Sequence, residues 1–137
     1  MGLELCQLIN LPKIQDARGN LSFIQACEQV PFEFRRVYYL YDVPSGSTRG
    51  GHAHLKLKQF MICLSGSFDV ILDDGMSSKR LQLNRPYQGL YICPMIWREL
   101  ENFSANAVCM VIASDVYQES DYIRDLDTFK LLVKSNA

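Results

Sequence analysis

Apolar positions along the chain come in short bursts of about four to eight residues, each ended by glycine, proline or paired polar residues. The bursts read as strands over Cys6–Asn10, Leu21–Gln25, Arg35–Asp42, Phe60–Ser65, Ser67–Leu72, Lys79–Leu83, Gly89–Ile92, Trp97–Phe103 and Ala107–Ser114. Their Val, Ile, Tyr and Phe content suits a pleated, half-buried surface. Asp73-Asp74-Gly75 predicts a hairpin, because Asp-Gly tolerates the positive φ of a tight turn. Ser65-Gly66-Ser67 and Asn84-Arg85-Pro86 are further turn signals. The tail differs. Tyr122, Ile123, Leu126, Phe129, Leu132 and Val133 follow a three-four spacing, which predicts a helix from Ser120 to Lys134. Ser120 or Asp121 is its expected N-cap, with Lys130 and Lys134 favourable near the far end. Short strands followed by one terminal helix imply an all-β sandwich or barrel rather than an alternating α/β fold.

Composition narrows the picture. At 137 residues the chain has room for one core, so a single domain over 1–137 is expected, without repeats or linkers. A net charge of −1 carries no basic footprint for nucleic acid. No apolar run approaches the roughly 20 residues that span a bilayer. The start, Met1-Gly2-Leu3-Glu4-Leu5, lacks the basic and apolar regions of a signal peptide, and Cys6 breaks a myristoylation motif. The five cysteines, at 6, 27, 63, 93 and 109, are odd in number, widely spaced and without a C-x-x-C pair. That argues against a disulfide framework and for a reduced, cytoplasmic setting.

Both histidines of the chain lie in Arg49-Gly50-Gly51-His52-Ala53-His54. On a strand, residues two apart share a face, so the imidazoles point into one space. The preceding glycines allow a sharp turn and a close ligand approach. Gly51-His52-Ala53-His54, Gln59 and Gly66 resemble the first signature motif of the cupin superfamily. Gly89-Leu90-Tyr91-Ile92-Cys93-Pro94, with Trp97-Arg98 and Asn102, resembles the second. The resemblance implies a cupin jelly-roll β-barrel with one short C-terminal α-helix. Cupins commonly hold a divalent metal, yet here Gln59 replaces the glutamate ligand, and Trp97-Arg98 stands where a histidine ligand would be. Two donors remain of the three or four required, and an arginine beside them repels cations. We therefore expect no metal.

Imidazoles without a metal have an unperturbed pKa of roughly 6.5, suited to proton transfer. Asp16-Ala17-Arg18-Gly19-Asn20-Leu21, Arg36-Val37-Tyr38-Tyr39, the His pair, Gly89-Leu90-Tyr91, Ala113-Ser114-Asp115-Val116-Tyr117 and Asp121-Tyr122-Ile123-Arg124 together resemble the dTDP-4-oxo-6-deoxyglucose 3,4-ketoisomerases. That resemblance implies an isomerase that moves the keto group of dTDP-4-oxo-6-deoxy-D-glucose from carbon 4 to carbon 3 through an enediol, for amino-deoxysugar synthesis. It needs no hydride cofactor, and it implies a homodimer. Arg18-Gly19 resembles members forming the galacto product rather than the gluco one. His52 matches the family's base. His54 is expected as a second proton carrier or as an orienting group. One of Tyr38 and Tyr39 must face inwards as an oxyanion donor, and we assign Tyr39. Arg49 is expected to hold the carbonyl oxygen or a phosphate by forked hydrogen bonds. Arg18, Arg98 and Lys56 are the other cations for the diphosphate, with Gln59 also near the substrate. Tyr91 or Trp97 is the aromatic platform for thymine. The competing readings are a sugar-nucleotide 3,5-epimerase and a non-catalytic nucleotide-sugar-binding cupin.

Overall fold

The computed structural model describes residues 2–136. Among them lie twelve strands and one α-helix. The first six strands are β1 (Leu8–Asn10), β2 (Lys13–Asp16), β3 (Gly19–Ser22), β4 (Arg36–Leu40), β5 (Arg49–His54) and β6 (Gln59–Ser65). The rest are β7 (Phe68–Asp73), β8 (Ser78–Leu83), β9 (Gln88–Ile92), β10 (Trp97–Glu101), β11 (Val108–Ala113) and β12 (Tyr122–Ile123), followed by α1 (Leu126–Ser135). Two five-stranded antiparallel sheets, ordered β1-β9-β6-β11-β4 and β12-β5-β10-β7-β8, form a jelly-roll-like arrangement. The all-β reading of the sequence therefore holds.

The sheets enclose a core of Met61, Phe68, Val70, Leu72, Leu90, Ile92, Leu100 and Val111. Alternation places these side chains inwards from facing strands, and their removal from water is the main driving force for closing the barrel. A second cluster, with Phe32, Phe60, Ile62 and Ile112, packs on the outer face of the first sheet. Gly89 is required there: a Cβ on it would stand 2.0 Å from the Phe60 ring.

Element boundaries moved where tertiary contacts overrode local pattern. β2 and β3 form an exposed two-stranded hairpin whose turn passes through Gly19 at φ 126°, so the third strand begins earlier than Leu21. The expected strand at Cys6 is a short 3-10 turn over Leu3–Leu5, then β1. The tail is not helical from Ser120. Residues Glu119–Asp121 make a 3-10 turn, and Tyr122–Ile123 pair with His54 and Ala53 of β5. Asp121 is consequently engaged by β5 and its turn, and the N-cap of α1 is Asp125, whose carboxylate accepts from the Thr128 amide at 2.9 Å. The helix buries Phe129 against Trp97, ring centroids 6.0 Å apart.

Candidate active site

β5 supplies the histidines and β10 the arginine opposite them, since Arg98 is the antiparallel partner of His52. Gly50 and Gly51, at φ 85° and 71°, turn the strand in a way that L side chains rarely adopt. A Cβ on Gly50 would also approach the Arg98 carbonyl oxygen to 3.0 Å, so glycine there lets β5 lie close on β10. The imidazoles of His52 and His54 meet edge to face, 4.9 Å between centroids. Tyr122 from β12 packs on both, at 4.9 Å from His52 and 4.4 Å from His54.

His52 opens into a cavity of about 510 Å³ that is also lined by Arg36, Tyr38, Thr48, Arg49, Arg98, Tyr122 and Arg124. That volume lies within the range of small-ligand pockets. His54 lies behind it, fully buried, on the wall of a smaller cavity of about 140 Å³ with Lys56, Ser114, Asp115 and Asp121. Arg36 and Tyr122 line both. Nε2 of each histidine and Nε of Arg36 are buried without a hydrogen-bond partner. Nδ1 of His54 is 3.1 Å from Oδ2 of Asp121.

Arg98 is 2% exposed and has no carboxylate for its charge among the described residues. Its guanidinium donates instead to the Gln59 side-chain oxygen and, through Nε and Nη2, to the Ile96 carbonyl at 3.3 and 3.2 Å. Gln59 then donates from its amide nitrogen to the Tyr38 hydroxyl at 3.1 Å. The amide thus orients both the cation and the phenol facing the cavity. A glutamate at the same place would turn the amide donor into a second acceptor. Burial lowers the pKa of His52 to about 4, with Arg98 as the next cause, while the Gly50 carbonyl favours the charged form. The same two influences hold His54 lower still, at about 2. Both rings are neutral at working pH. Burial raises the Tyr38 phenol above its usual value, so Tyr38 remains a donor.

Several expected contacts change. Tyr38, not Tyr39, faces the cavity: Tyr39 is 62% exposed and rests on Tyr41, centroids 5.8 Å apart. Strand alternation demands one inward tyrosine, and the register of β4 on β11 selects Tyr38, opposite Val111 of the core. Gln59 lies beneath the cavity rather than on its wall, both ends of its amide being occupied. Trp97 points to the other side of β10 from Arg98, packs under α1 and donates to Glu99 at 2.9 Å. Tyr91 packs against Phe32, outside the barrel, with centroids 6.2 Å apart. Neither aromatic is available as a platform in this cavity. Arg18 sits on the exposed hairpin turn, paired with Asp16 at 2.7 Å, and touches neither cavity within its own chain. Lys56 lines only the smaller cavity.

Arg36, Thr48, Asp121, Tyr122 and Arg124 were not identified as site residues from sequence. Arg36, Tyr122 and Asp121 fell in stretches already singled out as family-like. The predicted terminal helix concealed the geometry of Asp121–Arg124. Among the described residues, no three His, Cys, Asp or Glu side chains converge as a metal ligand set.

Known proteins resemble this chain in sequence and architecture. The family described as "FdtA: WxcM-like, C-terminal" matches residues 4–134. The TDP-4-oxo-6-deoxy-alpha-D-glucose-3,4-oxoisomerase of Aneurinibacillus thermoaerophilus is 48% identical over 124 residues, 90% of this chain and 89% of that protein. A histidine-to-asparagine mutant of the 3,4-ketoisomerase QdtA from Thermoanaerobacterium thermosaccharolyticum, solved with TDP-4-keto-6-deoxyglucose, superposes with a TM-score of 0.93 at 40% identity. The match covers 95% of this chain and 94% of QdtA. The TDP-quinovose 3,4-ketoisomerase WlaRB of Campylobacter jejuni gives a TM-score of 0.90 at 45% identity, covering 94% and 99% of the two chains. With its cupin-like barrel and its sequence matched over nearly all its length, this chain belongs to the FdtA-like family of sugar 3,4-ketoisomerases.

Proposed function

We propose that the chain converts dTDP-4-oxo-6-deoxy-D-glucose into its 3-oxo isomer, with His52 as the base. The observation that carries this reading is the bare Nε2 of His52, buried and unpartnered on the wall of an arginine-rich cavity. The Gly50 carbonyl engages the ring's other nitrogen, which leaves the Nε2 lone pair for the substrate. The ring removes the proton from carbon 3, and the electron pair moves through the new carbon–carbon double bond onto the carbon 4 oxygen, which gains a proton. The carbon 3 hydroxyl then loses its proton as that carbonyl forms, and His52 returns a proton to carbon 4. Atoms and electrons balance without an outside oxidant.

Tyr38 and Arg49 supply donors for the developing oxyanion, where fixed dipoles in a dry site are most effective. The diphosphate meets Arg36 and Arg49, neither of which has a carboxylate partner among the described residues. Arg124 is partly neutralised by Glu119 at 2.8 Å. Cations that keep the empty site's imidazole neutral are offset by the substrate's negative charge once it binds. The proton affinity of His52 thus rises in the complex, where a base is needed.

Exposed apolar side chains on the β2–β3 hairpin, Ile14 and Leu21, and on edge strand β4, Val37 and Tyr39, support a homodimer. Five free cysteines accord with a cytoplasmic enzyme. No helix among the described residues is long and apolar enough to cross a membrane.

The test is incubation with dTDP-4-oxo-6-deoxyglucose in heavy water. Deuterium at carbon 4 with the ketone at carbon 3 is the expected result. Label at carbons 3 and 5 makes the chain an epimerase, and binding without exchange makes it a binding module. Arg18-Gly19 points to the galacto product, whereas the likeness to the quinovose enzyme points to gluco. In ordinary water a small coupling between the protons on carbons 4 and 5 identifies galacto and a large one gluco.

A further inference from the structure

Asp121 is engaged on every side as an acceptor. Oδ1 takes the Lys56 amide at 2.8 Å, and Oδ2 takes the Leu57 amide at 3.3 Å while lying 3.1 Å from Nδ1 of His54. Its own carbonyl accepts the Leu55 amide at 2.9 Å. His54 is equally confined. Its carbonyl accepts from Met95 at 2.8 Å, β12 pairs beside it, and the Tyr122 ring covers it. Both oxygens of Asp121 already serve as acceptors of backbone amides, so the hydrogen between Asp121 and His54 is assigned to Nδ1. Nε2 then carries a lone pair, buried beside His52 and without a partner. A buried acceptor left bare is destabilising, and such groups collect at functional sites.

We propose that Asp121 is a positioning residue: its carboxylate fixes His54 in the Nδ1–H form, so that the buried Nε2 enters the reaction as an acceptor of a hydroxyl hydrogen next to His52. His54 does not line the larger cavity, so its part is to take the hydrogen of a sugar hydroxyl or of a water reaching the seam between the two rings. Asp121 acts only through it. The inference rests on the isomerase reading above, but the state of the ring can be measured without turnover.

The chain has only two histidines, so a nitrogen-15 spectrum of labelled protein contains two imidazoles, separated by the His52→Asn variant. For the unmodified protein at neutral pH, the expected His54 signal is a neutral ring protonated at Nδ1. A ring protonated at Nε2, or an imidazolium, overturns the proposal even if no variant folds. In Asp121→Asn, the amide oxygen is drawn to the two strong backbone donors and the NH2 group is turned towards His54. The ring must then accept at Nδ1 and carry its proton on Nε2, the wrong form for an acceptor. Turnover is expected to fall roughly 100-fold with KM changed less than about threefold. A variant that keeps the Nδ1–H ring and turns over within about threefold of the parent overturns the proposal. Absence of isomerisation by the unmodified chain would sink the functional reading alone, leaving the tautomer measurement to decide this one.

Discussion

Arg98 is a buried cation whose charge acts on two imidazoles, so neutralising it should shift the base. His52 and Arg98 are cross-strand partners. Taking roughly 7 Å as a general reach between long side chains on neighbouring strands and an effective dielectric of ~20, two unit charges interact by about 2.4 kcal/mol, enough to move a pKa by about 1.7. Burial, the larger cause of the depressed value, remains in Arg98→Gln. The His52 pKa should therefore rise from about 4 by roughly one to two units while staying below its ordinary value of 6.5. Glutamine retains a polar group for the Ile96 carbonyl and the Gln59 oxygen. Leaving one of them bare costs about 1–3 kcal/mol, offset in part by removal of an unpaired buried charge. Proton NMR of the ring Cε1–H signals reads both histidines directly, and the acid limb of kcat/KM should move upwards by the same amount. A folded Arg98→Gln protein whose His52 titrates at the original pH, or lower, would refute the electrostatic account.

Three other outcomes follow from the same geometry. Replacing His52 by Asn should lower turnover at least ~100-fold while retaining TDP binding by calorimetry; activity close to the parent's would remove His52 from the mechanism. Tyr38→Phe should slow turnover by about tenfold and Tyr39→Phe should leave it within about twofold, an order that steady-state kinetics would reverse if Tyr39 were the donor. Acid should destabilise the fold. The unfolded chain protonates His52 below pH 6.5, whereas the folded chain resists until about 4, so the unfolded state binds more protons and stability is lost as pH falls through that window. His52 alone contributes up to about 3 kcal/mol, which His52→Asn should remove from the pH dependence of denaturant unfolding.

Strand bursts, the Asp-Gly hairpin and the histidine pair were legible because they depend on local rules: alternation, positive φ and side-chain type. Orientation was not readable. Tyr38 and Tyr39 have the same side chain at adjacent positions, and only the pairing of β4 with β11 decides which one enters the barrel. Trp97 and Arg98 pose the same problem, resolved by the packing of the tryptophan against Phe129 of α1.

The tail shows the boundary most clearly. By its own periodicity Ser120–Lys134 is a helix, and Leu126–Ser135 obeys that pattern. Residues 119–123 do not, because β5 offers Tyr122 and Ile123 backbone partners, while Asp121 finds two amides and an imidazole. Sequence alone determined the fold class and the pairing of the two imidazoles on one strand, since both rest on side-chain chemistry and spacing. Tertiary structure alone decided which phenol, which cations and which carboxylate stand around the histidines. Those contacts join residues far apart in the sequence, Asp121 and His54 being 67 positions apart, and no local pattern encodes them.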